Sequence, residues 1–570
     1  MKEIIPEYAS YPDILTIYQQ SFQSNFTMPA LSDYGGKTLS YGRLAQRIAK
    51  IHLFYEKAGI KPGDKIALMG RNSATWVVTF MATITYGAVI VPVLSEFNPS
   101  DACNIIEHSD ARILFVNDSI WAKMDLELMP QLDCVISLES RKVIAERPER
   151  YAKPGSRRNS SATQIVKGLA RNFRKRYPNG FSRDDIAYTP RPDDDTAIIN
   201  YTSGTTGFSK GVMLSFRNIW GNVVFGMRSR LHYEGSRALS FLPLAHAYAC
   251  AFDMLVPMAT GTHVTILGKQ PTPQILIPAM HKVKPSLVIC VPLILEKIYR
   301  KMIIPMISKP SIRWVLSVPM LDKAVYSRIR SKLIAAFGGA FEEVIVGGAP
   351  LNAEVETFLQ RIHFPFTVGY GMTECCPLIS YSPWRRFVPG SAGRTLRGLM
   401  KARILHEEGS ELGEIIVKGV NVMKGYYKNP DATLAVLEED GWLHTGDMGT
   451  LGKPDDRTIF IRGRYKTMIL TATGQNIYPE EIESKLNNMP YVNESLIVER
   501  EGHLLGLVFP DIEGASADGI DENALKSLME DNRRDLNKLV APYERVESIE
   551  LRSEPFEKTP KQSIKRYLYK

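Results

Sequence analysis

One segment of the sequence combines glycines, hydroxyl residues and a single lysine in a pattern suited to phosphate chemistry. It runs from Tyr201 to Gly211 as YTSGTTGFSKG. Glycine lets the backbone come close to a phosphate, serine and threonine add hydroxyl and amide donors, and Lys210 supplies positive charge where negative charge develops on phosphoryl oxygens. Ser209 stands where a Walker A loop requires glycine, so the segment is not that motif. The pattern predicts a phosphate-binding loop, with a flexible polar turn as the alternative.

Other polar or glycine-rich segments follow along the chain. They are LPLAHAYA (242–249), GGAPL (347–351), YGMTE (370–374), GWLHTGD (441–447), GRYK (463–466) and GQNIYPEEIE (474–483). Together with the phosphate loop, they resemble in order the motifs of the adenylate-forming superfamily, which includes acyl-CoA synthetases, luciferases and peptide-synthetase adenylation domains. The resemblance covers nearly the whole chain. It implies that GGAPL and YGMTE bind adenine, GWLHTGD binds ribose, GRYK is a hinge and GQNIYPEEIE opens a small domain.

The resemblance implies residues that bind ATP and Mg²⁺. Glu374 follows a glycine-led turn, where a carboxylate oxygen suits Mg²⁺, which prefers oxygen ligands and bridges ATP phosphates; an exposed loop acid is the alternative. Thr202 is implied near the same ion and Tyr370 against the adenine, with a core aromatic as the alternative for Tyr370. The other residues implied to contact the nucleotide are Ser203, Gly204, Thr205, Thr206, Gly207, Gly348, Ala349, Pro350, Gly371, Met372 and Thr373.

Further residues are implied around the ribose, the acyl group and coenzyme A. A carboxylate such as Asp447 can accept two hydrogen bonds from ribose hydroxyls; a helix N-cap is the alternative. Arg464 is implied to reach ribose or phosphate. His246 corresponds to a family histidine between the nucleotide and acyl sites, and a core histidine is its alternative. The region from Gly474 to Tyr478 is implied to approach the thiol when the small domain rotates.

The carboxyl-terminal segment EKTPKQSIKR (557–566) resembles the family block that carries a catalytic lysine, but here that position falls on Ser563. Lys561 and Lys565 lie two residues away on either side. Side chains at such positions share a face in an extended chain, so one of these lysines could reach the same phosphate. In a helix neither would point correctly. We therefore expect Lys561 or Lys565 to serve, with two solvated surface lysines as the alternative.

The sequence pattern indicates the elements that position these residues. Ser40 and Gly59 bound an amphipathic helix, and strands such as KIALMG and ARILFVND alternate with helices, as in an α/β domain with parallel strands. Residues between KPGSRRNSS and RPDDDTA have poor periodicity and are expected to form an insertion. Later strands are shorter. We predict an α/β fold with a large layered domain (1–463) and a smaller, mobile α+β domain (464–570).

The stretch from Asn72 to Ser95 has no charged residue and is long enough to cross a bilayer. Gly87 and Pro92 divide it into WVVTFMATITYG and AVIVPV. The first part suits a buried helix and the second a strand, so we predict those elements, with a membrane span as the alternative.

The net charge of +9 has a local origin. Between residues 141 and 183, 13 lysines or arginines stand against only Glu146 and Glu149. A solvated face is the first interpretation, and docking onto anionic lipid headgroups is the sharper alternative. Nucleic acid is disfavoured, because the segment has few aromatic residues and no reader motif.

Six cysteines without a CxxC pair indicate neither a zinc site nor a disulfide framework, and the polar segment MKEIIPEYAS does not favour a secretory signal. We expect a cytoplasmic protein, with peripheral contact with an anionic membrane as the alternative. Nothing in the sequence specifies an oligomeric state.

The combined prediction is an AMP-forming fatty acid–CoA ligase that uses ATP, Mg²⁺ and coenzyme A. Such an enzyme makes acyl-AMP and pyrophosphate, and then acyl-CoA and AMP. YSPWRRFVPGSAGR and QNIYPEEIE look most like long-chain fatty acid–CoA ligases. The chain length of the acid is not readable, because one methylene changes binding by only about 1–3 kcal/mol. The alternatives are a fatty acyl-AMP ligase that loads a carrier protein and an inactive adenylate-binding scaffold.

Overall fold

Helices and strands alternate along much of the chain in the computed structural model. It describes residues 6–151, 161–202, 209–317, 321–406, 412–452, 456–470, 476–500, 502–559 and 564–569. The α-helices are Pro6–Ala9, Ile14–Ser24, Tyr41–Ala58, Ala74–Tyr86, Pro99–His108, Asp118–Trp121, Ala162–Arg176, Phe216–Arg228, Ala247–Ala249, Val256–Thr260, Pro273–Val283, Pro292–Ile298, Ile304–Ile307, Pro310–Ser317, Leu321–Ala336, Ala353–Arg361, Pro430–Leu434, Pro479–Leu486, Ile512–Ala517 and Glu522–Leu539.

The largest sheet in the described part of the chain carries the candidate phosphate loop. Its central strands pair in parallel and are almost entirely buried, as expected for strands covered on both faces. An antiparallel hairpin and short strands complete it. In spatial order, the strands are Gly425–Tyr426, Lys210–Ser215, Thr196–Thr202, Val89–Val93, Lys65–Met69, Ala111–Val116, Cys134–Ser137 and Val143–Glu146.

Smaller sheets surround this one. One is parallel, and its strands are Leu287–Cys290, Glu343–Val346 and Phe366–Val368. Two others contain Arg237–Ser240, His263–Ile266, Pro29–Asp33 and Thr38–Ser40, and then Tyr370–Gly371, Leu378–Tyr381 and Arg394–Thr395. An antiparallel sheet contains Met400–Leu405, Gly413–Gly419, Leu443–Leu451 and Ile459–Arg464. Nearer the carboxyl terminus, Ile469–Leu470 pairs with Asn476–Ile477, and Val492–Arg500, His503–Pro510 and Val546–Leu551 form one sheet.

Local sequence signals explain two of the elements that were predicted. The Ser40 side chain accepts a hydrogen bond from the first turn of helix Tyr41–Ala58, and Gly59 ends this helix in the left-handed conformation. The uncharged stretch forms helix Ala74–Tyr86 and the fully buried strand Val89–Val93, which confirms the predicted helix and strand. No helix among the described residues is both long and apolar enough to cross a membrane.

The segment expected to be a poorly periodic insertion contains a regular element. Residues Ala162–Arg176 form a helix capped by Ser161, whose side chain accepts from the Gln164 amide. Its apolar residues are spaced three or four apart, which is the helical period. The surrounding lysines and arginines lower the average hydrophobicity of the segment without removing this period. The description of these residues as poorly periodic was therefore wrong, and their being an insertion stays a prediction.

Two separate apolar clusters form most of the core in the described residues. The larger has members from Tyr8 to Ile459, and the other has members from Ile477 to Val546. The predicted domain boundary between residues 463 and 464 falls between these ranges, and it stays a prediction. A hydrogen bond joins residues on the two sides of this predicted boundary: Asn352 Nδ2 donates to Asn488 Oδ1 at 2.7 Å.

Candidate active site

The two ends of the candidate phosphate loop lie side by side. Strands Thr196–Thr202 and Lys210–Ser215 pair in antiparallel register, with Thr202 opposite Lys210. Both side chains are half-buried. The hairpin thus fixes where the loop leaves and re-enters the sheet. Five loop residues named from the sequence lie outside the described residues: Ser203, Gly204, Thr205, Thr206 and Gly207.

Tyr426 connects Lys210 to Glu374. Its hydroxyl donates to Glu374 Oε1 at 2.9 Å, and Lys210 Nζ lies 4.8 Å from the centroid of its ring. Burial first, and then the charge of Glu374, raise the pKa of Tyr426, so the phenol stays a hydrogen-bond donor. The strand Gly425–Tyr426 pairs with the strand that begins at Lys210, which explains the proximity. Sequence reasoning missed Tyr426, since its segment GYYKNP has no chemical signature by itself.

The backbone around Glu374 forms a tight turn that depends on glycine. A Cβ atom at Gly371 would lie 2.2 Å from the carbonyl oxygen of Pro377, so no other residue fits without a shift of the backbone. The Met372 amide donates to that same oxygen at 2.9 Å. Thr373 is buried and begins the 3-10 turn that contains Glu374. The Glu374 carbonyl accepts from the Met423 amide at 2.8 Å.

A buried carboxylate forms the second part of the site. Asp447 is 5% exposed, and it accepts from the Tyr370 hydroxyl at 2.6 Å and from Arg464 Nε at 3.1 Å. Burial raises the pKa of Asp447, although Arg464 and Tyr370 act in the opposite direction. Asp447 lies inside strand Leu443–Leu451, so the N-cap alternative is wrong.

The two parts of the site share an electrostatic environment. Asp447 first, and Tyr370 and Glu374 more weakly, raise the pKa of Arg464. Both carboxylates therefore act on one guanidinium. The structure thus brings together Lys210, Glu374, Tyr370, Asp447 and Arg464, which the sequence places in separate motifs.

A small apolar cavity of about 50 Å³ adjoins this group. Its lining includes Gly348, Tyr370 and Gly371, which the resemblance assigns to the nucleotide, together with the aromatic residues Tyr248, Phe252 and Tyr381. The Tyr248 hydroxyl donates to the carbonyl of Ile345 at 3.0 Å, which fixes one aromatic wall. An apolar space beside these residues suits the hydrocarbon part of an acid.

Two predicted motifs flank the cavity. Gly348 has φ +88°, which favours glycine, and it leads into the exposed residues Ala349 and Pro350. His246 precedes the short helix Ala247–Ala249, and its carbonyl accepts from the Cys250 amide at 2.8 Å. His246 therefore stands at the start of the segment that contributes Tyr248 and Phe252 to the cavity.

Comparison with known proteins identifies the family of this chain. Residues 19–427 match the model of the family described as AMP-binding enzyme. The chain belongs to this family. The long-chain-fatty-acid–CoA ligase ACSBG2 of Rattus norvegicus is 26% identical over 533 residues, which cover 88% of this chain and 77% of the relative. Feruloyl-CoA synthase of an Amycolatopsis species is 28% identical over 502 residues, which cover 85% of this chain and 86% of the relative.

The fold of this AMP-binding family member also matches solved structures. The anthranilate CoA ligase AuaEII, solved in complex with anthranoyl-AMP, superposes with a TM-score of 0.75 and 16% identity, and 98% of each chain is covered. This match confirms the predicted α/β architecture of an adenylate-forming enzyme.

The residues present fit the nucleotide and ion that the family name and the sequence imply. Each carboxylate oxygen of Asp447 accepts one hydrogen bond and has capacity for another, which suits a pair of ribose hydroxyls. The described residues contain no group of three or more potential metal-binding side chains. A lone carboxylate such as Glu374 is still a suitable Mg²⁺ ligand, because Mg²⁺ commonly binds one or two carboxylates together with substrate phosphates.

The candidate residues nearer the carboxyl terminus have no described contact with Lys210 or Glu374. Tyr478 is buried, and its ring packs against Gly463, where a Cβ would lie 2.7 Å from it. Lys565 Nζ pairs with Glu557 Oε2 at 3.2 Å, and the described contacts do not join Lys565 to Lys210 or Glu374. Ile564, which precedes Lys565, forms an antiparallel bridge with Lys558, so the chain at this point is extended rather than helical. Gly474 and Lys561 lie outside the described residues.

Proposed function

We propose that the protein is an AMP-forming CoA ligase, which activates a carboxylic acid with ATP and transfers the acyl group to coenzyme A. The observation that carries this proposal is the placement of Glu374 and Lys210, joined by Tyr426, near the Asp447–Arg464 pair and an apolar cavity. The names of the relatives, a fatty acid–CoA ligase and a feruloyl-CoA synthase, describe the same type of reaction.

The first half-reaction gives the acid a leaving group. A carboxylate oxygen of the acid attacks the α-phosphorus of ATP, an acyl–phosphate bond forms, and the bond to pyrophosphate breaks. Negative charge on the phosphoryl oxygens is stabilised by Lys210 and by donors of the 203–207 loop. Glu374 would hold Mg²⁺, which would supply positive charge against the negative charge of the phosphate groups. Asp447 and Tyr370 orient the ribose and adenine of the nucleotide.

The second half-reaction transfers the acyl group. The thiolate of coenzyme A attacks the acyl carbonyl, a thioester forms, and AMP leaves with the electrons of the broken carbon–oxygen bond. His246 lies at the start of the segment that lines the cavity, and we assign it the place between the nucleotide and acyl sites that the family resemblance implies. Rotation of residues 464–570 would bring the Gly474–Tyr478 region toward the thiol.

A long-chain fatty acid is the first candidate substrate. The stretches YSPWRRFVPGSAGR and QNIYPEEIE support it, together with the name of the Rattus norvegicus relative. An aromatic acid is the second candidate, because the cavity is small and three of its walls are Tyr248, Phe252 and Tyr381. A long chain requires these walls to move, whereas a planar ring requires a smaller rearrangement.

The proposal is tested with a panel of fatty and aromatic acids, ATP and coenzyme A, in which pyrophosphate, AMP and thioester are measured separately. We expect acid-dependent pyrophosphate release and a thioester that forms in equal amount to AMP. Pyrophosphate release without thioester, restored by an acyl carrier protein, would identify a carrier-loading ligase instead. Absence of acid-dependent pyrophosphate release over the whole panel would indicate a scaffold without activity.

A further inference from the structure

The helix Ala162–Arg176 has two chemically opposite faces. Successive residues of an α-helix are about 100° apart, so residues three or four apart share a side. The side toward the protein carries Ala162 and Phe173, which are buried, and Ile165, Val166 and Leu169, which pack partly buried against the core. The opposite side carries exposed cations: Lys167, Arg171, Arg174 and Lys175.

The apolar side is already covered by helix Tyr41–Ala58. Lys50 Nζ of that helix lies 5.0 Å from the centroid of the Phe173 ring. Arg176, which lies on the same side as Phe173, pairs with Glu56 at 2.7 Å. The helix therefore presents only its basic side outward and has no free apolar side to insert into a membrane.

A second group of cations lies on and near the helix that packs against this one. Arg43, Arg47 and Lys50 lie on helix Tyr41–Ala58, and Arg141 is exposed just before the strand Val143–Glu146. The pKa of Lys50 is lowered, first by burial and then by the positive charges of Arg47, Arg141 and Arg43. Burial and then Arg141 lower the pKa of Arg47, against the opposite influence of Asp33. These like charges therefore lie close together.

Acidic partners for these cations are scarce. Helix Ala162–Arg176 contains no aspartate or glutamate. In the part of the chain that the structure describes, no ion pair involves any of the eight cations Arg43, Arg47, Lys50, Arg141, Lys167, Arg171, Arg174 and Lys175. We call these eight residues the basic surface. No ion pair therefore neutralises the basic surface within the residues that the structure describes.

We propose that the basic surface docks the protein onto the anionic headgroups of a phospholipid bilayer. The charge is complementary, and each lysine or arginine near such a surface adds to the attraction. Nearby rings are not available to stack nucleic acid bases, because Tyr177 packs on Phe173 and Phe181 at centroid distances of 4.7 and 5.1 Å. The contact is electrostatic and superficial, so salt reverses it.

Sedimentation with phospholipid vesicles tests this proposal. The probes are vesicles of phosphatidylcholine alone and of phosphatidylcholine mixed with phosphatidylglycerol, at low and high salt. The test variant is Lys167→Gln/Arg171→Gln/Arg174→Gln/Lys175→Gln. The matched control removes the same number of exposed cations from another region, as Lys309→Gln/Lys323→Gln/Arg328→Gln/Lys332→Gln. We expect the test variant to bind mixed vesicles about tenfold more weakly or worse, and the control to bind within about twofold of the parent protein.

Several results would overturn the proposal. They are equal binding to neutral vesicles, binding that high salt leaves unchanged, and an equal loss in the control variant. A fourth is a test variant that keeps its vesicle binding but loses affinity for a single-stranded oligonucleotide, which would assign the surface to nucleic acid. Thermal unfolding shows that both variants are folded. Vesicle binding requires no catalysis, so its failure is separate from any failure of the proposed ligase activity.

Discussion

The hydrogen bond between Tyr426 and Glu374 allows a sharp test of the candidate site. The Tyr426→Phe variant removes only the hydroxyl that donates to Glu374 Oε1 at 2.9 Å. It keeps the ring, whose centroid lies 4.8 Å from Lys210 Nζ. We expect slower acid-dependent pyrophosphate release, because the Glu374 carboxylate loses the donor that fixes its position.

The structure sets the expected size of this effect. A hydrogen bond to a charged group contributes about 1.5–3 kcal/mol to stability. Glu374 is only half-buried, so water can replace part of the lost interaction and the effect should lie at the lower end. Because about 1.4 kcal/mol corresponds to a factor of ten, we expect kcat/KM to fall about tenfold. The free energy of unfolding should fall by no more than about the same 1.5 kcal/mol, because the ring stays in its packed position.

The assay compares Tyr426→Phe with the neighbouring variant Tyr427→Phe. Tyr427 also donates its hydroxyl to a carboxylate, Asp110 Oδ2 at 2.7 Å, but this acid is not part of the candidate site. Pyrophosphate release is measured at saturating ATP over a range of acid concentrations. A kcat/KM for Tyr426→Phe within about twofold of the parent, or an equal loss in Tyr427→Phe, would refute the positioning role.

Three further predictions concern other parts of the protein. Glu374→Ala should reduce adenylate formation about a hundredfold or more without loss of folding, and unchanged pyrophosphate release would contradict its role. Lys561→Ala, Lys565→Ala or the double variant should slow acyl-AMP formation more than acyl transfer from preformed acyl-AMP; normal adenylation in the double variant would discard the idea. Burial lowers the pKa of His444, but hydrogen bonds to Glu414 and a second glutamate outweigh it and raise the pKa above its usual value of about 6.5. His444 therefore stabilises the fold below that pH, and the contribution is lost as pH rises through the folded-state pKa, so His444→Gln should cost more unfolding free energy in denaturant titrations at pH 6 than at pH 8.

Local signals in the sequence were enough for elements whose ends are marked by caps. Ser40 and Gly59 defined one helix, and Gly87 separated another from its following strand, because capping and left-handed conformations depend on neighbouring residues only. Helix Ala162–Arg176 was missed because its cations dominate the composition, although its apolar residues recur at the helical period. What stabilises it is packing against helix Tyr41–Ala58, which no local window contains.

The sequence by itself determined the motif residues of the candidate site and, through their order, the family. Glu374, Asp447 and Lys210 stand in short motifs whose composition suggests phosphate or ribose binding. Only the tertiary structure decided their partners. Tyr426 reaches Glu374 across 52 positions, and Tyr370 reaches Asp447 across 77. Such contacts depend on strand register and loop closure over long distances, and sequence patterns of a few residues carry no information about either.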